Sequence, residues 1–332
     1  MFKFLKNHAY SIGIDIGDDS LKIVQLGDND DGKGISLIAG SSENLPKDVK
    51  PGSSKWQRWA INTIRQLTSN GNFQGKEVTA VMPSSELFID HVKMPKTDNN
   101  KLEDAIFSKI KQKLPFEPVK EKTMMKFIPM EDDNVLVIAA ERKIIDRHLA
   151  IYEEAGLVIK SICVWPIALA NCYIRFFGRR KSDFDSIVML VCIETNSTNV
   201  VICRHKNLLF ARSISIGLSQ LSNKKAVNRL VLELTACRRQ FVLMHRKAQI
   251  ERLIFLSGKT VDRDICMEIA KQLEMPAQLG DCLAATEIPN PGQLDKDSND
   301  NKGPSGKPID RRDCQVNWTL SFGLSLSCRD LD

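Results

Sequence analysis

The apolar positions of the chain keep two different periods. Around the polar run Gly17-Asp18-Asp19-Ser20 they alternate with polar ones, from Ser11 to Leu26, and this predicts strand, tight turn, strand. ISLIAG, after the DNDDGKG turn, predicts a third strand. Over residues 55–69 the period becomes helical: Trp56, Trp59, Ala60, Ile64 and Leu67 share a face, and Asn70-Gly71 supplies a stop. KEVTAVMPSSELFIDHVKMP reads as two strands around Pro-Ser-Ser, and residues 98–113 as a helix ended by the prolines of LPFEP. A strand at 134–140, a helix at 142–155 with Gly156 at its end, a strand at 158–164 and a helix at 166–177 follow.

The polar stretch GRRKSDFD, residues 178–185, breaks this pattern and divides the chain into halves 1–180 and 185–332. Beyond it, IVMLVCIETNSTNVVICR repeats the opening plan of strand, polar turn, strand, about 175 residues after the first. LLFARSISIG adds a strand. A helix over 224–249 places Val227, Leu230, Val231, Leu234, Cys237, Phe241 and Met244 on one face. RLIFLSG reads as a short buried strand, and DICMEIAKQLEM as a helix with Ile265, Ile269 and Leu273 inward. Residues 286–313 are rich in Pro, Gly, Asp, Asn and Lys and predict a flexible insertion. VNWTLSFGLSLS then resumes the apolar character, so the insertion interrupts the second half.

Composition narrows the picture only slightly. The 332 residues, 42% apolar, suffice for two cores. A formal charge of +6 is too small to imply nucleic acid, and no aromatic residues interleave with the basic clusters Arg179-Arg180-Lys181 and Arg238, Arg239, Arg246, Lys247, Arg252. Either cluster suits a solvated face or an acidic lipid or protein surface. The nine cysteines form no C-x-x-C pair and several lie in apolar runs, which suits small buried side chains in a reducing cytoplasm. No signal peptide and no membrane-spanning run is legible.

A duplicated α/β unit with facing hairpins is how the actin-like (ribonuclease H-like) class builds a phosphate site, each turn presenting backbone N–H groups to the anion. In the first turn Gly17 permits close backbone approach, with Asp18 and Asp19 beside it. Ser20 can donate to phosphate oxygens, Lys22 adds positive charge, and Asp15 is placed to face a Mg²⁺ shell through water. On its own this turn equally suits a surface hairpin.

The ordered segments IGIDIGDDSLKIVQL, VMPSSELFIDHVKMP, LPFEP, VLVIAAERKIIDRHLAIYEEAGLVIKSICVWPIALA, STNVVICRHKNLLFARSISIG and FGLSLS resemble the PilM family of type IV pilus assembly proteins, related to FtsA. The resemblance implies an actin-like fold with a small inserted subdomain at about 40–125. It implies ATP and Mg between the halves, with Asn196, Ser197 and Thr198 in the second phosphate turn and Ser257 and Gly258 at the adenosine loop. It also implies docking of a cytoplasmic peptide from a PilN-like inner-membrane protein, in a groove between the first-half core and the subdomain. VMPSSELFIDHVKMP would border that groove, and the chain would act as a scaffold at the inner face of the cytoplasmic membrane.

The sequence departs from the family pattern where Cys192 stands for an Asp, Glu194 for a Gly and Lys259 for a Gly. These changes oppose nucleotide binding and predict a degenerate site without turnover. A small-molecule kinase and an FtsA-like filament former are the alternatives. The first needs a catalytic Asp and a substrate pocket, the second a C-terminal amphipathic helix.

Overall fold

The computed structural model describes residues 9–29, 34–94, 99–246, 248–288, 307–309 and 315–327. Two sheets share one strand plan. The first runs β14-β3-β2-β1-β4-β8, where β14 is the short strand Lys307–Pro308, and the second β11-β10-β9-β12-β13. In each, three antiparallel strands in hairpin succession are followed by two parallel ones. These are β1 (Ile12–Ile16), β2 (Ser20–Asp28), β3 (Ile35–Asn44), β4 (Glu77–Val81) and β8 (Val158–Cys163), matched by β9 (Ile187–Ile193), β10 (Thr198–Arg204), β11 (Asn207–Ile214), β12 (Arg252–Phe255) and β13 (Ala277–Leu279). Every residue of β1 and of β9 is buried, as expected for strands covered on both faces.

The helices correspond too. α1 (Ser54–Asn70) and α5 (Lys224–Met244) link the third and fourth strands of the two plans. α3 (Arg142–Glu154) and α6 (Arg263–Gln272) precede the fifth strands, and α4 (Trp165–Cys172) and α7 (Thr319–Leu326) follow them. α1 begins at Ser53, whose hydroxyl accepts from Trp56 N, and buries Trp56, Ala60, Ile61, Thr63, Ile64 and Leu67. α5 begins at Asn223, whose side chain accepts from Lys225 N.

The last pair is exchanged between the halves. α4 lies against β9, β10 and β11, whereas α7 lies against β1, β2 and β4, and the two helices pack on each other. Their approach is close: a Cβ on Gly323 would fall 2.0 Å from the Ala168 carbonyl oxygen, and one on Gly13 would fall 2.2 Å from that of Ser321. One cluster therefore mixes Val81, Trp165 and Leu169 with Leu190, Val201, Ile254, Leu320 and Leu324. The closing segment, which the sequence assigned to the second half, completes the core of the first. All eight residues of α7 are buried, so it has no polar face to leave in solvent.

Between β4 and α3 a small subdomain is inserted, built from β5 (Phe88–Lys93), α2 (Asn99–Ile110), β6 (Thr123–Pro129) and β7 (Asn134–Glu141) in the sheet order β5-β7-β6. Its span is about residues 84–141 and not 40–125, because β3 and β4 are strands of the first sheet and α1 links them. β6 and β13 were not legible as strands: β6 is an edge strand with only Thr123 buried, and β13 is three residues long.

Other boundaries shift for local reasons. α5 stops at Met244, where His245 leaves the helical region and its Nε2 donates to the Leu209 carbonyl. α4 is followed by a π-turn over Tyr173–Phe177. In α6 it is Cys266, with Ile269 and Ala270, that is fully buried, while Ile265 is half-buried. Most of 286–313 lies outside the described residues. Its described ends attach to β3: Glu287 N and O pair with Ile35 and Leu37, and β14 (Lys307–Pro308) pairs antiparallel with Ser41 and Ser42.

Candidate functional site between the two hairpins

The turns β1–β2 and β9–β10 are closed alike. Gly17 N donates to Ser20 O and Glu194 N to Ser197 O, each at 2.8 Å. The two turns face each other and are joined by a hydrogen bond from Thr195 Oγ1 to Asp19 Oδ2. Ser20 Oγ donates to Asp19 Oδ1 at 2.9 Å, Ser85 Oγ lies 3.4 Å from Asp18 Oδ1, and Ser84 and Ser197 hydroxyls meet at 3.4 Å.

Behind the turns lies a buried charged cluster. Lys22 Nζ sits 2.9 Å from Asp15 Oδ2 and 3.6 Å from Glu194 Oε2, and donates to the Asn317 carbonyl at 3.2 Å. The neighbouring carboxylates outweigh burial and raise the Lys22 pKa, so the ammonium stays charged. Glu194 Oε1 accepts from Asn317 Nδ2 at 3.0 Å and from the Cys192 thiol at 3.2 Å. Asn317 Nδ2 also lies 3.3 Å from Cys192 Sγ. Burial pushes Glu194 up, an effect that Lys22 opposes and Asp15 reinforces. Burial, then Glu194, pushes the Cys192 thiol well above its ordinary value, so the sulfur is protonated and donates. Asp18 is raised by burial and by Asp19, Glu86 and Asp15, against the Ser85 hydrogen bond. The field at the first turn is thus negative.

The residues expected at a phosphate site are only partly gathered. Asp15, Gly17, Asp18, Asp19, Asn196 and Ser197 line one cavity of about 40 Å³, together with Met82, Ser84, Trp165, Glu194 and Asn199. Ser20 and Lys22 stand directly beside it. Thr198 is fully buried, and its hydroxyl donates to Ile216 O at 2.7 Å. Ser257 accepts from Ile193 N at 2.8 Å and so ties β12's end to β9. Both hydroxyls are spent on the scaffold. Gly258, at φ +57°, lies at a second cavity of about 10 Å³ with Lys259, Asp281, Asn317 and Trp318. Asn317 is shared between this second cavity and the Lys22–Glu194 cluster. Asn317, Asn199, Thr195 and Ser84 were not singled out from the sequence. Trp165 is 1% exposed and lines the first cavity, with Nε1 unpartnered.

The groups around the hairpins are a poor match for a magnesium nucleotide. The cavity that holds Asp15 and Glu194 measures about 40 Å³, against ~300–1,000 Å³ for ligands of drug size, and an adjoining groove of about 630 Å³ is also lined by Asp18, Ser84, Asn196 and Ser197. Its nearest charges are the carboxylates of Asp15, Asp18, Asp19 and Glu194 around a single lysine that is already paired. A protonated thiol stands where the second turn would offer Mg²⁺ a carboxylate, and a thiol is a poor ligand for that ion. Among the described residues no group of three His, Cys, Asp or Glu side chains converges as for a metal.

VMPSSELFIDHVKMP does border a groove, but its far wall differs from expectation. A groove of about 630 Å³ runs between Ser84, Ser85, Leu87–His91 and Pro115 on one side and Ala211–Ser213, Ser215 and Gln240 of the second half on the other, and is also lined by Asp18, Asn196 and Ser197 of the two turns. His91 explains this. Its ring stacks on Phe210 at 4.5 Å, and its Nε2 accepts from Ala211 N at 3.2 Å, which leans β5 toward β11. The basic clusters are partly consumed: Arg252 pairs with Asp183 at 2.6 Å and Arg238 donates to Leu273 O at 2.9 Å, while Lys247 lies outside the described residues.

The duplicated sheets, exchanged closing helices and facing hairpins define a protein of the actin-like ATPase fold. Solved structures agree. The PilM–PilN type IV pilus biogenesis complex superposes with a TM-score of 0.71 at 17% identity, covering 96% of this chain and 98% of that one. A protein of Bacteroides thetaiotaomicron with an actin-like ATPase fold and unknown function gives 0.51 at 12% identity, over 86% and 96%. The cytoplasmic domain of EpsL, an inner-membrane component of the Vibrio cholerae type II secretion system, gives 0.50 at 12%, over 96% and 95%. The model of the family described as type IV pilus assembly protein PilM matches residues 13–233, and the chain belongs to that family. No curated protein matches it by sequence. Among the described residues no helix is long and apolar enough to cross a membrane.

Proposed function

We propose that the chain is a non-catalytic scaffold of pilus assembly that binds the cytoplasmic peptide of a PilN-like inner-membrane protein and is held at the membrane through it. The observation that carries this reading is membership of the PilM family over residues 13–233, together with the fold likeness to a PilM–PilN complex. The degenerate state of the nucleotide site supports a role in binding: a thiol and a carboxylate stand where phosphate transfer needs a Mg²⁺-facing acid and an open backbone. A peptide seat is available beside the inserted subdomain, in the groove bordered by Ser84–His91, where two sheet edges approach and an extended segment could lie.

Calorimetric titration of the full chain with the N-terminal cytoplasmic peptide of the cognate PilN-like protein tests the reading. Saturable binding at one site is expected, and absence of any heat or shift would sink it. Ser85→Arg and Ser213→Arg, which fill the groove, are expected to weaken the peptide by tenfold or more. Unchanged affinity in both would move the seat elsewhere on the molecule.

A further inference from the structure

We infer that Glu194 is a built-in substitute for the nucleotide phosphate, an internal anion that fastens the two halves together with no ligand. The inference rests on the reading of the hairpin pair as a degenerate phosphate site. It adds what has taken the phosphate's place.

Three stretches of chain meet at this carboxylate. One oxygen faces the Lys22 ammonium at 3.6 Å, across the boundary between the halves. The other accepts from Asn317, in the segment that leads into α7, and from Cys192 of its own strand. Lys22 in turn donates to the Asn317 carbonyl, so first hairpin, second hairpin and closing segment form one closed circuit. A free anion between the turns would meet the same parts, the Lys22 ammonium and the Asn317 amide. Here the anion is covalently part of the second turn, and its placement costs no binding entropy.

The departures from the family pattern become one device on this reading. Glu194 supplies the negative charge. Cys192 is neutral, which a carboxylate at its position would not be, and it donates to Glu194 where a second carboxylate would repel it. Asp15 remains and keeps Lys22 in place at 2.9 Å. With Asp15 alone, Lys22 would keep its 2.9 Å ion pair and lose the second anion that ties it to the other half.

The full-length protein and its Glu194→Ala, Glu194→Gln and Lys22→Met variants decide the matter through thermal unfolding with and without Mg-ATP or millimolar inorganic pyrophosphate. The wild-type midpoint is expected to respond to neither. Glu194→Ala should lower it by several degrees and should regain most of the loss with pyrophosphate, which enters the space beside Lys22. Glu194→Gln keeps the shape and remains folded if alanine does not. It should still show the loss, and a double-mutant cycle with Lys22→Met should show coupling. A wild type stabilised by Mg-ATP would overturn the degenerate-site reading itself. A wild type indifferent to nucleotide, with Glu194 variants as stable as it and deaf to pyrophosphate, would leave that reading intact and overturn the substitution.

Discussion

At the residue scale, the interior of this protein places ionisable groups where their charge state decides the contact. His91 accepts from Ala211 N, which only a neutral imidazole can do, and burial lowers its pKa to about 4. His245 and Arg212 push the same way, and Asp90 opposes them. The folded-state pKa lies below the unfolded value, so the unfolded chain takes up the proton first as pH falls. The His91 contribution is present above pH ~6.5 and is lost progressively toward pH ~4, by at most about 3 kcal/mol. Chemical denaturation across that window should show the loss, and His91→Asn should flatten it; an unchanged slope in the variant would assign the acid sensitivity to other groups. The buried Cys192 thiol, pushed well up, should resist alkylation in the native protein and react only on unfolding.

At the scale of elements, the contact between α4 and α7 depends on backbone proximity. Any side chain at position 323 would collide with the Ala168 carbonyl, a backbone atom that cannot rotate away. Gly323→Val should therefore destabilise by about 3 kcal/mol or more, beyond the usual effect of overpacking, and urea midpoints would measure it. A substitution at Gly75, where an added Cβ meets nothing within 4 Å although φ is +76°, serves as a milder control. Near-native stability of Gly323→Val would mean that the helices can separate.

At the scale of the whole molecule, the halves are not independent folding units. α7 contributes Leu320, Phe322, Leu324 and Leu326 to cores that include β1 and β2 or the facing strands of the second sheet. Each such side chain contributes about 1.5–3 kcal/mol when fully buried. Deleting residues 315–332 should consequently unfold the first half as well as the second. Loss of protection at β1 and β2 in hydrogen exchange would show it, and a protected first sheet would contradict it. The same coupling makes the hairpin cluster more than a local feature, since Asn317 joins it from the segment that feeds α7.

Much of this was legible in the sequence. Strands alternate or run fully apolar according to how many faces are covered, and helices carry one apolar stripe, so the repeated hairpin and most elements could be read from local periodicity. The departures at Cys192 and Glu194 were also visible as residue identities. β6 and β13 were not, because a mostly exposed edge strand and a three-residue strand carry no periodic signal. The sequence alone determined the duplicated α/β plan and the chemical character of both turns, since these depend on neighbours along the chain. Only the tertiary structure decided that α7 crosses to the first sheet, that Ser257 and Thr198 are spent on backbone partners, and that Asn317 closes the circuit from Lys22 to Glu194. The contact of Lys22 with Asn317 alone joins residues 295 positions apart, and no local pattern of polar and apolar positions encodes which distant backbone atom a buried polar group will find.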